Sequence, residues 1–464
     1  MRVSKNAKSA TKGVFFKLRD APIGYDVIMK FKRLLEVGMI AICLEAMVVP
    51  ACAADTQLVD LVLKARQRDP AYAIAKAQAD VVHEQVRQAR AGLLPTLSFN
   101  GSATKANFDE VSVEDRRFNT QLWTLQFSQP LFRLGNFYAL SETQQQSFQA
   151  EAQLAAAESD VAQRVVTAWF DVLNAQEVLK AVRGQKDATQ LQLTAAKRSF
   201  ELGAVSIADV RDAEAKNANV QAQEAQAESD LMLKRELLGQ ISDAQIGELN
   251  AVEWSRPNLS SHLGALDDWQ QSARDNNPSI VQARYAEEAA KIDVKKARSG
   301  HAPTVDFVTT YNMDNATGSS TYTTSVHNKT FQYGVQVTVP IFEGFGTDAK
   351  VGEAVAQREK ARGQREQSSD QVLQSVKQAY FGLQGALVQI PILETTEEAN
   401  KVSVQANVRG YQVGLRTNSD VLNAQAQLYQ SEKDLAKARF DAWMNYVRLR
   451  LLNGDWADAD FRAF

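Results

Sequence analysis

The stretch Phe331-Gln332-Tyr333-Gly334-Val335-Gln336-Val337-Thr338-Val339-Pro340-Ile341-Phe342 decides how this chain is read. Phe331, Tyr333, Val335, Val337, Val339 and Ile341 share one face, and Gln332, Gly334, Gln336 and Thr338 oppose them. A two-residue period is that of a strand with one apolar and one polar side. Pro340 offers no ladder donor and closes the run. Upstream, Val305, Phe307, Thr309, Tyr311 and Met313 form one face of a partner strand. Segments of about 10 residues with this division suit a membrane barrel around a wet lumen. They also suit an amphipathic sheet on a soluble core, and the strands alone favour that second reading.

Working outward, the same passage has an earlier copy. Gln129-Pro130-Leu131-Phe132 answers Val339-Pro340-Ile341-Phe342, behind an alternation of Trp123, Leu125 and Phe127; Leu97 and Phe99 begin a weaker partner strand. Asp69-Pro70 recurs as Asn277-Pro278, and Leu94-Pro95-Thr96 as Ala302-Pro303-Thr304. Trp169-Phe170 recurs as Tyr380-Phe381, Phe200-Glu201-Leu202-Gly203 as Tyr411-Gln412-Val413-Gly414, and Asp209-Val210 as Asp420-Val421. The offset drifts only from 208 to 211 residues, so the chain is a tandem duplication. The expected division is an N-terminal segment 1–53, a first repeat 54–250, a linker 251–265, a second repeat 266–455 and a tail 456–464. Each repeat reads as a helix (Leu58 to Ala91; Leu266 to Arg298), a proline break, two strands closed by a second proline, a very long helix, a glycine turn and a returning helix.

The long helices shift the balance between the two readings of the strands. Val161, Val165, Ala168, Val172, Ala175, Leu179 and Val182 alternate four- and three-residue steps. Val372, Val376, Ala379, Leu383, Ala386, Ile390 and Leu393 stand at the equivalent places. That is a heptad seam, the mark of coiled-coil packing. Returning helices repeat it with Val210, Ala213 and Leu231, and with Val421, Ala424, Leu428 and Leu435. A helix of about 60 residues runs about 90 Å. Such a rod spans a distance rather than filling a compact core.

Composition removes the main rivals. Charged residues make up 23% of the 464 residues, and no apolar run reaches the roughly 18 residues of a membrane helix. Any spanning part is therefore a closed barrel. Lys30, Lys32 and Arg33, the apolar run Val37 to Leu44, and Ala51-Cys52-Ala53 read as an export signal, imperfect at Glu36 and Glu45, with Met29 the better initiator. The mature chain is expected to begin at Ala54 or Asp55. Both cysteines, Cys43 and Cys52, then leave with the signal. A lipoprotein reading, with Cys52 acylated, competes through Val49-Pro50-Ala51-Cys52, although the proline fits it poorly. Residues 1–53 hold nine Lys/Arg against four Asp/Glu, so their removal takes the formal charge from −3 to −8. An acidic chain gives no support for nucleic-acid binding. His83, His262, His301 and His327 lack ligand spacing, and no G-x-x-x-x-G-K loop or G-x-S-x-G elbow occurs, so no metal, cofactor or catalytic role is expected.

Four strands cannot close an open-bored barrel, and hydrocarbon does not tolerate bare sheet edges. Two copies give about eight strands and a bore filled by side chains; three give about twelve and can leave space. This order of elements, duplicated behind an export signal, resembles the TolC family of outer-membrane proteins over essentially all of residues 55–455. Its most specific stretch is Tyr411-Gln412-Val413-Gly414-Leu415-Arg416-Thr417-Asn418-Ser419-Asp420-Val421-Leu422-Asn423-Ala424. The resemblance implies an α+β membrane protein: a homotrimer with a shared twelve-stranded barrel in outer-membrane lipid and a coiled-coil helical tunnel through the periplasm. It implies docking to a periplasmic adaptor protein and an inner-membrane transporter. The leading expectation is a type I secretion outlet fed by an ABC transporter, with an RTX-like, glycine-rich repeat toxin as cargo. A drug or metal efflux component with small-molecule cargo is the second reading, and a soluble coiled-coil scaffold the third.

The resemblance also implies a gate at the inner hairpin turns. Tyr411 and Arg416 match residues that latch neighbouring coils, with Asp209 and Gln192 as first-repeat partners. Asp420 matches one aspartate of an acidic constriction ring. The second ring position holds Asn423, a departure that halves the fixed charge expected there. A plainer reading competes: Ser206 with Asp209, and Thr417 with Asp420, have the spacing of helix caps, and Arg416 fits a solvated turn.

Overall fold

The computed structural model describes residues 57–110, 113–249, 263–318 and 324–454. The expected signal segment with both cysteines, most of the linker and the tail lie outside the described residues. Elements follow in the order α1 (Gln57–Arg68), α2 (Pro70–Ala91), β1 (Thr96–Glu110), β2 (Val113–Phe132), α3 (Leu134–Glu201) and α4 (Ile207–Ser242). Then come α5 (Leu266–Asn276), α6 (Pro278–Arg298), β3 (Thr304–Ala316), β4 (Val326–Thr338), α7 (Gly346–Gln412) and α8 (Asn418–Leu452). The second six elements repeat the first six in kind and order.

Three sequence expectations need correction. The single first helix of each repeat is two helices, divided at Asp69-Pro70 and at Asn277-Pro278. Proline lacks the donor that a helix interior needs but suits the first turn of a new helix. Asp69 caps that turn by accepting the Tyr72 N–H at 2.9 Å, and Asn277 accepts from Ser279 N–H at 3.0 Å. Asp69 also receives Arg164 Nη2 of α3 at 2.7 Å, which fixes the break against the rod. Pro130, expected to end its strand, instead sits inside β2 at a register shift between Pro130 and Phe132. An irregular ladder position leaves no unmet need for its missing N–H. β4, by contrast, ends at Thr338, so Val339 and Ile341 stand beyond the strand on which they were expected.

The four strands form one antiparallel sheet in the order β1-β2-β3-β4, with β1 and β4 as its edges. Register aligns Phe99 with Leu125, Leu125 with Tyr311, and Tyr311 with Phe331. Leu97, Trp123, Phe127, Phe307, Tyr333 and Val335 extend this band, and Tyr333 and Val335 are 74% and 58% exposed. The opposite face carries Asn100, Thr124, Gln126, Asn312, Gln332 and Gln336; there Thr124 Oγ1 donates to Asn312 Oδ1 at 2.8 Å. The apolar face is left open along β4, where Phe331, Tyr333, Val335 and Val337 are exposed, unlike a sheet whose apolar side packs on a soluble core. Trp123 stacks on Phe99 with centroids 5.6 Å apart and lies over Gly101, where any side chain would collide with it.

Long helices run from the sheet. α3 has 68 residues and α7 has 67, so each rod measures about 100 Å. Val161, Val165, Val172, Ala175, Leu179 and Val182 of the first seam are buried, as are Val372, Val376, Ala379, Leu383 and Ala386 of the second. The second seam loosens at Ile390, next to Pro391 inside α7. Proline there removes the helical bond to residue 387, and Ile390 beside it is half-buried while still packed against the core. The main core joins α1, α3, α7 and α8, with Phe170 edge-on to Trp169 at 5.0 Å and to Phe440 at 6.1 Å. No described helix is long and apolar enough to cross a membrane.

Candidate gate at the hairpin tips

Both rods turn back by the same device. Gly203 (φ 74°) and Gly414 (φ 77°) take the left-handed conformation that L side chains resist. At the first tip the Ala204 N–H donates to the Ser199 carbonyl at 2.8 Å; at the second the Leu415 N–H donates to Gly410, also at 2.8 Å. These bonds satisfy carbonyls left over at a helix end. Gly410 is required for a further reason: a side chain there would meet the Arg416 stem at 2.7 Å.

The returning helices start with reciprocal caps. The Ser206 N–H and hydroxyl donate to Asp209 Oδ2 at 3.0 and 2.8 Å, while Asp209 N–H donates to Ser206 Oγ at 3.3 Å. The Thr417 N–H and hydroxyl donate to Asp420 Oδ2, both at 2.9 Å, and Asp420 N–H donates to Thr417 Oγ1 at 3.2 Å. The Thr417 N–H and hydroxyl, with the Arg416 charge nearby, hold the Asp420 carboxyl below the usual carboxylate value. Asp420 is therefore a fixed anion at the tip in any physiological medium, whatever else it does.

The remaining site residues divide. Tyr411 closes the last turn of α7, half-buried, and its carbonyl accepts the Gly414 N–H at 3.0 Å. Arg416 is exposed in the turn. Gln192 lies on α3 with its Oε1 enclosed and unbonded within the chain. Among the described residues of one chain, no hydrogen bond or ion pair joins Tyr411 or Arg416 to Asp209 or Gln192. Asn423 is engaged instead by Lys216 of α4, whose Nζ donates to its Oδ1 at 2.9 Å. Sequence reasoning missed this lysine. Its four-residue spacing from Asp212 is the pattern of a solvated helix face, and nothing local reveals a partner over 200 residues away. Beneath these polar groups a small apolar cluster of Leu193, Ala196, Val210, Ala213 and Leu422 joins α3, α4 and α8. Farther along, Thr189 Oγ1 donates to Asn217 Oδ1 at 3.2 Å in a buried position. Asn217 Nδ2 also donates to Gln190 Oε1 at 3.1 Å, so polar groups link α3 and α4 within the coil.

The sequence model of the family described as "Outer membrane efflux protein" matches residues 61–241 and 269–455. The chain is 28% identical over 404 residues to the outer membrane protein TolC of Vibrio cholerae serotype O1, covering 87% of this chain and 92% of that one. It is 26% identical over 411 residues to the alkaline protease secretion protein AprF of Pseudomonas aeruginosa, covering 85% and 84%. In three dimensions it resembles the outer membrane protein VceC from Vibrio cholerae, with a TM-score of 0.75 at 20% identity over 86% of this chain and 96% of VceC.

Proposed function

Because the chain belongs to the outer membrane efflux protein family, and so is an outer-membrane channel of TolC-like fold rather than an enzyme, we propose that it is the exit duct of a type I secretion system. Three copies share a barrel of about twelve strands, and their rods form a periplasmic tunnel. An inner-membrane ABC transporter and a periplasmic adaptor feed an unfolded polypeptide into it, with a glycine-rich repeat toxin as the cargo class.

One observation carries this reading: a four-stranded sheet, apolar on one face, polar on the other and open at β1 and β4, is fused to rods about 100 Å long. An open edge in hydrocarbon has to be paired, and another copy of the chain offers the complementary edge. Secretion rather than efflux is supported by the likeness to AprF, a protease secretion protein. The adaptor contact is supported by the apolar tips: Leu202, Val413 and Leu415 are 78%, 70% and 82% exposed, a costly arrangement without a partner. At the tips, Tyr411, Arg416, Asp209 and Gln192 form the latch between neighbouring coils, and Asp420 with Asn423 lines the constriction. On this reading the latch groups meet their partners across the subunit boundary.

Efflux of small molecules is the second reading, favoured by the family's own description. Deleting the chain from its host separates the two. Loss of a polypeptide from the culture supernatant, with unchanged drug and metal tolerance, supports secretion; unchanged secretion with lost tolerance rejects it.

A further inference from the structure

Lys216 does not belong to the latch or the ring described above, yet it makes direct polar contacts from the first hairpin to the second at their tips. We propose that Lys216 is a strap that fastens the tip of α8 to α4 and so limits how far the tunnel mouth opens; this rests on the channel reading above. Its Nζ donates to Asn423 Oδ1 at 2.9 Å and to Ser419 Oγ at 3.2 Å, both on α8. Asp212, one turn back on its own helix, lies 3.7 Å away. An ammonium has three donors; the two crossing bonds use two of them, and Asp212 is close enough for an ion pair but too far for a hydrogen bond. The two shorter contacts are those that cross between the repeats. A lysine serving only the i,i+4 pair with Asp212 would need neither.

Position gives the strap leverage. Ser419 and Asn423 flank Asp420, so the two crossing bonds bracket the residue placed at the constriction. The lysine side chain is 29% exposed and its bond to Ser419 is partly buried, which limits the water that would otherwise replace that bond. The apolar contact below it is small, five side chains among which only Leu422 comes from α8. Beside a cluster of this size, a charge-assisted pair of bonds adds a directional link between the hairpins that apolar contact does not supply. Asn423 suits this role: its amide oxygen accepts from the ammonium without adding charge beside Asp420.

The test is single-channel conductance in planar bilayers, using full-length protein purified as a detergent-stable trimer. Lys216→Met keeps the apolar stem and removes the donors; Ser419→Ala with Asn423→Ala removes both acceptors from the other side. Each is expected to raise the resting conductance at least about twofold, and the combined triple variant no more than the larger of the two, since they break the same link. Asn423→Asp is expected to lower conductance when Lys216 is present and to have no such effect with Lys216→Met. Unchanged currents in intact trimers, or effects that simply add, overturn the strap and leave the channel standing. A wild-type chain that yields no conducting trimer overturns the channel reading and the strap with it.

Discussion

At the scale of single residues, the second tip places one carboxylate in a helix cap at the position proposed for the constriction. Asp420 accepts two bonds from Thr417 through Oδ2, which is all that a cap requires. The capped carboxylate stays charged, so it also remains available to a constriction. Its lowered pKa makes the pH dependence definite. A depressed carboxyl contributes stability that is complete above its unfolded value, 3.8, and is lost only as pH falls through the lower folded value. Hydrogen exchange at the Thr417 and Asp420 amides is therefore expected to stay protected down to pH 4 and to rise below it. Loss of protection near pH 6 would mean that another group governs the cap. The latch has its own test: Arg416→Ala with Tyr411→Phe is expected to raise single-channel conductance, and an unchanged closed current would remove both residues from the gate.

At the scale of elements, the sheet and the rods obey opposite rules. Each long helix buries one stripe, Val161 to Val182 or Val372 to Ala386, against its neighbours, whereas the sheet leaves its apolar side open along β4. The heptad made the rods legible because a four-three alternation has few other meanings. The sheet was half legible. Alternation told which residues share a face, but not whether the solvent on that face is protein, water or lipid. Exposure of Phe331, Tyr333, Val335 and Val337 shows that no described part of the chain covers that face of β4, and membership of an outer-membrane family supplies lipid as the solvent. Val335→Arg is expected to cost about 2–4 kcal/mol at mid-bilayer and to abolish the heat-modifiable trimer in outer-membrane fractions. Gln336→Arg, one residue along and facing the lumen, is expected to leave the trimer intact and to shift ion selectivity. Equal effects of the two would refute the assignment of faces. The divided first helices were written in Asp69-Pro70 and Asn277-Pro278, but a proline after a polar residue marks either a loop or a fresh helix start. Only Asp69's bonds to the Tyr72 N–H and to Arg164 make it the latter.

At the scale of the whole molecule, a single chain is an unfinished object. Its two sheet edges lie three strands apart, and its apolar tips and outer sheet face are bare. Light scattering of detergent-purified protein, corrected for bound detergent, is expected to give a mass of three chains. A monomer would reject the shared barrel, and a dimer would leave about eight strands and no open bore.

Duplication, rod length, the faces of the strands and the cap spacings were all determined by the order of amino acids, because each depends on a short-range period or on a match at a fixed offset. Three things were decided only in the folded chain. Lys216 meets Asn423 across 207 positions, Arg164 reaches back to anchor Asp69, and the second seam comes loose beside Pro391. Periodicity tells which side of a helix is apolar; it does not tell which distant polar group will stand opposite, since that depends on how two separately formed rods come to lie against each other.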